Sequence, residues 1–279
     1  MAAPVRIANG NCDRSRLKVG KTGGVPVTLT KHEGWGNDFL VMADESGTQE
    51  FTPGLAQRVC DRRFGIGADG LLHLTRGKDG ADLGMRLLNA DGSPAELSGN
   101  GLRCLVQAAL RAGWVTGPDV RVNTAAGVRV ATVEPNEDAN ALVHEISVDM
   151  GPVTITGTDE DDLLLSVGNP HRVRRVPDPD QYDLATAGDK HRDVNLEVIA
   201  VTGGSNTVKM RVHERGAGET LACGTGACAV AVAASYWGLV TGSLVTVRQP
   251  GGDASVDVTS ADHVQLAGPV SYIGSIEIP

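Results

Sequence analysis

The sequence predicts a mixed α/β (α+β) protein built as two pseudo-symmetric halves. Three observations carry that expectation. Segments of alternating apolar and polar residues recur along most of the chain, the pattern of half-buried strands. Two helix-like segments open on the same small-Gly-x-Gly text, Ser98-Gly-Asn-Gly101 and Cys223-Gly-Thr-Gly226, 125 residues apart (223 − 98). Nine residues before each opening, at the end of a strand-like segment, stands a polar residue, Asn89 in one half and Glu214 in the other.

The elements follow in order. Residues 1–24 show no period and end on Gly23-Gly24; they read as a loosely held leader. VPVTLTKHEGWGNDFLVMADE, from Val25, reads as strand, glycine turn, strand. FTPGLAQRVCDRRFG opens a helix with Thr52 as N-cap and Pro53 at the first helical position. LGMRLLNADGSPAEL reads as a strand and a turn. SGNGLRCLVQAALRAG is a second helix, closed by Gly113. VRVNTAAGVRVATVEPN and ALVHEISVDMG alternate at period two, as do LLLSVGNPHRV and VNLEVIAVTGGSNTVKMRVHERG. CGTGACAVAVAASYWGLVTG is a third helix, stopped at Gly238, and VTVRQPGG, ASVDVTS and HVQLAGPVSYIGSIEI are strands and turns. The 279 residues suit two halves of roughly 130 each.

Composition excludes several function classes. Acidic side chains outnumber basic ones, 34 to 25, for a net charge of −9, so a nucleic-acid partner is not expected. No run approaches the ~18 apolar residues of a membrane span, and the N-terminus lacks a signal-peptide core. Five cysteines, an odd number, do not form a disulfide framework, so the expected compartment is the cytoplasm. The histidines show no metal-ligand spacing, and no lysine context suggests a Schiff base, so no metal and no cofactor are expected. GIGADG (65–70) matches G-x-G-x-x-G but follows the charged stretch CDRRF, which argues against a dinucleotide site. Thirty-six glycines without collagen periodicity imply tight turns and close backbone approaches.

The paired helix openings suggest a chemistry. A helix N-terminus exposes unpaired N–H groups and about half a unit of positive charge, and glycines there let an anion approach the backbone. Two such openings facing each other would hold one carboxylate. For an amino acid this offsets the carboxylate charge and stabilises a carbanion-like transition state at the α-carbon. The residues heading the helices, Ser98 and Cys223, would then act on that carbon from opposite sides. Cys223 is the stronger candidate, because a helix N-terminus is expected to lower a thiol pKa toward neutrality. Cys12, Cys60, Cys104 and Cys228 read as buried small hydrophobes. His171, in GNPH, reads equally as a proton mover or a hydrogen-bonded structural histidine. Glu214-Arg215 reads either as a grip on a zwitterion or as a solvated ion pair.

Taken together, HEGWGNDF, FGIGADG, NADGSPAELSGNGLRC, GNPH, DVNLEV and ERGAGETLACGTGA resemble, in order, the motifs of the diaminopimelate epimerases, from about Val27 to the C-terminus. These are cofactor-independent amino-acid epimerases of lysine and peptidoglycan precursor synthesis. The resemblance implies two halves of strands wrapped around a central helix, 25–149 and 150–267, with a final strand at 268–279 returning to the first half. It implies that Asn37, Asn89, Asn169 and Asn195 hydrogen-bond a diamino dicarboxylate substrate. Glu214, Arg215, Gly99, Asn100, Gly224 and Thr225 would complete that shell, with His171 and Glu214 assisting the catalytic thiols. It also implies a homodimer, although no interface stripe is identifiable. Two departures stand out. Gly70 takes the place of a common glutamine, and Ser98 takes the place of the first of two catalytic cysteines. An alcohol is a far weaker acid than a thiol and needs activation. Three readings follow from Ser98: an epimerase slowed or biased in direction, a one-thiol dehydratase or isomerase on another amino acid, or a catalytically impaired homologue.

Overall fold

The computed structural model describes residues 27–278 except 96, 137–140, 203, 205 and 261. The expected leader at 1–24 and Cys12 lie outside these residues. The local signals for helices act where expected. Helix α1 (Pro53–Cys60) starts on Thr52, whose hydroxyl accepts from the Leu55 N–H. Helix α2 (Gly99–Arg111) starts on Ser98 and α4 (Gly224–Tyr236) on Cys223. Gly113 and Gly238, just past the ends of α2 and α4, take the left-handed conformation (φ 71° and 65°) that glycine adopts at no steric cost. A 3₁₀ turn (Pro179–Gln181) and a five-residue helix α3 (Leu184–Gly188) were not anticipated. Asp178 and Asp183 cap them, and those caps were their sequence signal.

Strands β1 (Val27–Gly34) and β2 (Asn37–Ala43) form a hairpin, and β3 (Gly70–Arg76) lies parallel to β2 after α1. From β3 onward the second half repeats the first at a spacing of 125 residues. Strand β4 (Leu83–Asn89) pairs Leu88 with Pro94 of β5 (Pro94–Ala95), and β13 (Thr207–Glu214) pairs His213 with Glu219 of β14 (Gly218–Thr220). Likewise Leu83 pairs with Val122 of β6 (Asp119–Thr124), and Val208 with Val247 of β15 (Leu244–Gln249). Before β3 the spacing is longer. Strand β11 (Pro170–Arg175) meets β12 (Asn195–Val201) at His171 and Asn195, where β2 meets β3 at Phe39 and Gly70, so 39 corresponds to 171. The difference arises because the α1 connection is longer than the one holding α3.

Each central helix is wrapped by the strands of its own half. Helix α2 packs on β1 to β4, and α4 on β11, β12, β13, β15 and β16 (Gly252–Asp257). Ten of the α4 residues from Gly224 to Ala234 are buried, as expected for a helix apolar on every side. The last strand, β17 (Gln265–Ile278), pairs with β16 at its start, with β8 (Val143–Asp149) through its middle, and with β1 from Ser271 to Ile278. It therefore ties the two helix-centred layers into one hydrogen-bonded network.

Candidate active site

The two helix openings are built alike. Ser98 and Cys223 have nearly the same extended backbone (φ −135° and −132°), and each side chain caps its own helix. Ser98 Oγ accepts from the Gly101 N–H at 3.0 Å, and Cys223 Sγ from the Gly226 N–H at 3.3 Å. Those bonds satisfy the third N–H of each helix. Among the described residues, the N–H groups of Gly99, Asn100, Gly224 and Thr225 have no acceptor, which leaves four donors at the two positive helix ends.

Glycine brings those ends together. A Cβ on Gly224 would lie 2.9 Å from Leu266 Cδ2 and 3.0 Å from Asn100 Oδ1, and one on Gly99 would lie 2.8 Å from the same Leu266 carbon. The α2 and α4 starts therefore abut over Leu266, and neither leaves room for a side chain.

The shell around them also repeats. In the first half, the Asn100 amide donates to Asn37 Oδ1 at 3.2 Å, and Asn37 donates to Asp69 at 2.8 Å. In the second, Asn169 donates to Thr225 Oγ1 at 3.4 Å, and Asn169 Oδ1 faces His171 Nε2 at 3.0 Å. Asn195 Oδ1 accepts from the Arg215 backbone N–H at 2.8 Å. Its counterpart is Gly70, where a Cβ would meet the Leu88 carbonyl at 2.8 Å, so no larger residue fits this backbone. From the first turns of α2 projects Arg103, fully buried, its guanidinium stacked 3.8 Å over the Trp35 ring and bonded to Asn100 Oδ1 and the Pro269 carbonyl. Burial lowers its pKa to about 10, and it still supplies a fixed positive charge behind the α2 opening.

The Cys223 side holds more proton-carrying groups. Its backbone N–H donates to Gln249 Oε1, and Sγ lies 3.4 Å from Thr225 Oγ1. Glu214 accepts from the Thr220 hydroxyl, and its charge acts on Cys223. Behind them, His171 Nδ1 meets Glu197 Oε1 at 2.7 Å, both side chains fully buried. The expected lowering of the Cys223 pKa is overturned. Burial, then the carboxylates of Glu214 and Glu197, hold the thiol well above its ordinary value, and these outweigh the Thr225 hydroxyl and the Gly226 N–H, which favour thiolate. Burial likewise raises Glu214. The thiol of Cys223 is thus held in its protonated form at neutral pH. Burial raises Cys60 and Cys228 to about 12 and Cys104 higher still.

A cavity of about 420 Å³ lies against this assembly, lined by Asn37, Asn89, Ser98, Glu214 and Arg215 together with Asp69 and Thr220. Cys223, His171, Asn195, Gly99, Asn100, Gly224 and Thr225 are buried behind its wall, and Asn169 is half-buried. Asn89 is exposed and bonded to Ser93. Sequence reasoning missed Asp69, Glu197, Thr220 and Gln249. Glu197 had a visible signal, a single acid inside the apolar run NLEVIAV. Among the described residues, no group of three or more His, Cys, Asp or Glu is arranged to hold a metal, and no helix is long and apolar enough to cross a membrane.

The family model for diaminopimelate epimerase matches residues 29–156 and 163–273, nearly all of the described chain. The chain belongs to the diaminopimelate epimerase family. It is 39% identical to the diaminopimelate epimerase of Pelotomaculum thermopropionicum over 90% of this chain and 98% of that one. The diaminopimelate epimerase of Moorella thermoacetica is 40% identical, over 90% and 99%. Solved structures share the fold at low identity. A phenazine biosynthesis protein of the PhzF family from Bacillus anthracis superposes with a TM-score of 0.70 at 16% identity, covering 92% of this chain and 100% of that one. A hydroxyproline epimerase from Agrobacterium vitis gives 0.66 at 16% identity, with 91% of each chain covered. In this chain the Ser98/Cys223 pair occupies the two structurally equivalent N-cap positions of the repeat.

Proposed function

We propose that the chain interconverts LL- and meso-diaminopimelate by removing and returning one α-proton, without a cofactor. The observation that carries this reading is the pair of abutting helix starts, with four free N–H groups flanked by Ser98 and Cys223. The substrate α-carboxylate accepts those N–H groups, which offset its charge as electrons from the C–H bond move toward it. On one face Cys223 passes its proton to Glu214, and the thiolate so formed takes the α-hydrogen. On the other face the Ser98 hydroxyl supplies a proton to the carbanion; water in the cavity that Ser98 and Glu214 both line reprotonates the alkoxide, and the hydroxide so formed takes the proton held by Glu214. In the reverse direction the roles exchange, with Ser98 the weaker base. The pairing therefore favours turnover in which Cys223 abstracts. The same reading makes the protein a cytoplasmic homodimer whose ligand is a small diamino dicarboxylate, with neither nucleic acid nor membrane as partner. Its charge of −9 supports the exclusion of nucleic acid.

Incubation with LL-diaminopimelate in D2O tests the proposal, following α-deuterium and stereoisomer ratio together. Deuterium uptake with appearance of the meso form is expected. Uptake without inversion would replace it with a one-sided site of dehydratase or isomerase type. Tight binding with no exchange would make the chain a non-catalytic homologue.

A further inference from the structure

The internal repeat provides a control on which residues of the site are structural. At matching positions the first half carries Phe39, Leu72, Asn89 and Ser98, and the second carries His171, Glu197, Glu214 and Cys223. Leu72 and Glu197 occupy the same spot under their helices. Leu72 Cδ2 lies 3.5 Å from where a Cβ on Gly101 would be, and Glu197 Oε1 lies 2.8 Å from that point on Gly226. Phe39 and Leu72 show that an apolar pair does the packing there. Yet in the second half a carboxylate is fully buried, and its Oε2 has no hydrogen-bond partner among the described residues. A buried ion pair is weak evidence for stability, since an apolar pair of similar volume serves as well or better.

The hydrogen-bond pattern counts the protons. The Asn169 amide nitrogen donates to Thr225, so its oxygen faces His171 Nε2, which must carry a hydrogen to bond it. The 2.7 Å contact between His171 Nδ1 and Glu197 Oε1 needs a second proton between them. The pair therefore holds one proton more than a neutral imidazole beside a carboxylate, and it is electrically neutral overall. A chain of contacts runs on from it, Asn169 to Thr225 at 3.4 Å and Thr225 to Cys223 Sγ at 3.4 Å.

We propose that Glu197 is a positioning residue for the active site: it fixes the His171 ring and keeps that extra proton in the pair, holding the Cys223 side neutral while the thiol and Glu214 exchange theirs. The titratable groups facing the pair are Glu214 from the end of β13 and Cys223 from the start of α4, with Asp69 acting on Glu214 from the first half. Burial raises the Glu197 carboxyl, which favours sharing the proton with the imidazole over losing it. The inference rests on the epimerase reading for its kinetic test only.

The first test needs no substrate. Proton NMR of the parent protein should show a strongly deshielded imidazole N–H resonance, absent in Glu197→Gln and retained in Glu197→Asp. The second follows α-hydrogen exchange in diaminopimelate across pH. In Glu197→Gln, kcat should fall about tenfold or more with KM within about twofold, and the pH–rate profile should lose one ionisation. Glu197→Asp should keep that ionisation. A parent lacking the resonance, or a Glu197→Gln variant with the parental kcat and profile, overturns the proposal. Equal loss in both variants with the profile unchanged assigns Glu197 to packing and overturns it as well. A parent that shows the resonance but exchanges no diaminopimelate hydrogen refutes the epimerase reading instead.

Discussion

Replacing Gly224 by alanine probes the convergence of the two helix starts. The new Cβ would stand 2.9 Å from Leu266 Cδ2 and 3.0 Å from Asn100 Oδ1. Carbon contacts are comfortable at ~3.5–4.0 Å, so Leu266 and the Asn100 amide must shift, or α4 retreat, by roughly 0.6–1 Å. Overpacking of this kind costs about 1–3 kcal/mol, and alanine returns up to about 1 kcal/mol through its helix propensity. Net stability should thus fall by between about 0 and 3 kcal/mol, a drop in Tm of at most several degrees. Catalysis should suffer far more. The carboxylate cradle spans both helices, and a misplacement near 1 Å costs about 10²-fold in rate. The assay is deuterium exchange and stereoisomer ratio in LL-diaminopimelate, beside thermal unfolding. Gly157→Ala, where nothing lies within 4 Å of the added Cβ, is the control and should match the parent in both. A Gly224→Ala protein with kcat within twofold of the parent would refute the shared cradle.

Other outcomes follow from the same geometry. Ser98→Cys places a thiol on the second face in the same cap geometry, and the epimerisation rate should rise about tenfold or more; an unchanged rate counts against Ser98 as the weak partner. Cys223→Ala should lower exchange by about 10²–10⁴-fold with Tm nearly unchanged, and retained exchange would remove the thiol from the chemistry. Stability should also fall in mild acid. Burial holds His32 at about 4 against an ordinary 6.5, so between those values the unfolded chain takes a proton that the folded chain refuses. Stability is full above pH 6.5 and falls by roughly 2.5 kcal/mol by pH 4.5 through this residue. Urea unfolding at pH 7 and 4.5 should show that slope in the parent and lose it in His32→Asn; an unaltered slope would assign it elsewhere.

The sequence made some of this legible because the signals are local. Small-Gly-x-Gly announces a helix start from four consecutive residues, and both helices form as expected. Thr52-Pro53, Gly113 and Gly238 punctuate their helices by the same short-range rules. What stayed hidden depends on contacts between distant residues. The equivalence of Asn37 and Asn169 is masked because the α1 connection and the one holding α3 differ in length, which shifts the repeat from 125 to 132 residues before β3. Asp69, which orients Asn37, lies in GIGADG, a stretch whose sequence gives no sign that its acid reaches a residue 32 positions earlier. The Cys223 pKa went the other way because a helix start is visible in sequence, whereas burial of the thiol and the two carboxylates brought by β12 and β13 are not.

The account stands most directly on one structure, that of the protein crystallised with diaminopimelate. One carboxylate should accept N–H groups from Gly99 or Asn100 and from Gly224 or Thr225, with its α-carbon between Ser98 Oγ and Cys223 Sγ. A carboxylate bound to one helix alone, or the two side chains opening onto different cavities, would contradict it.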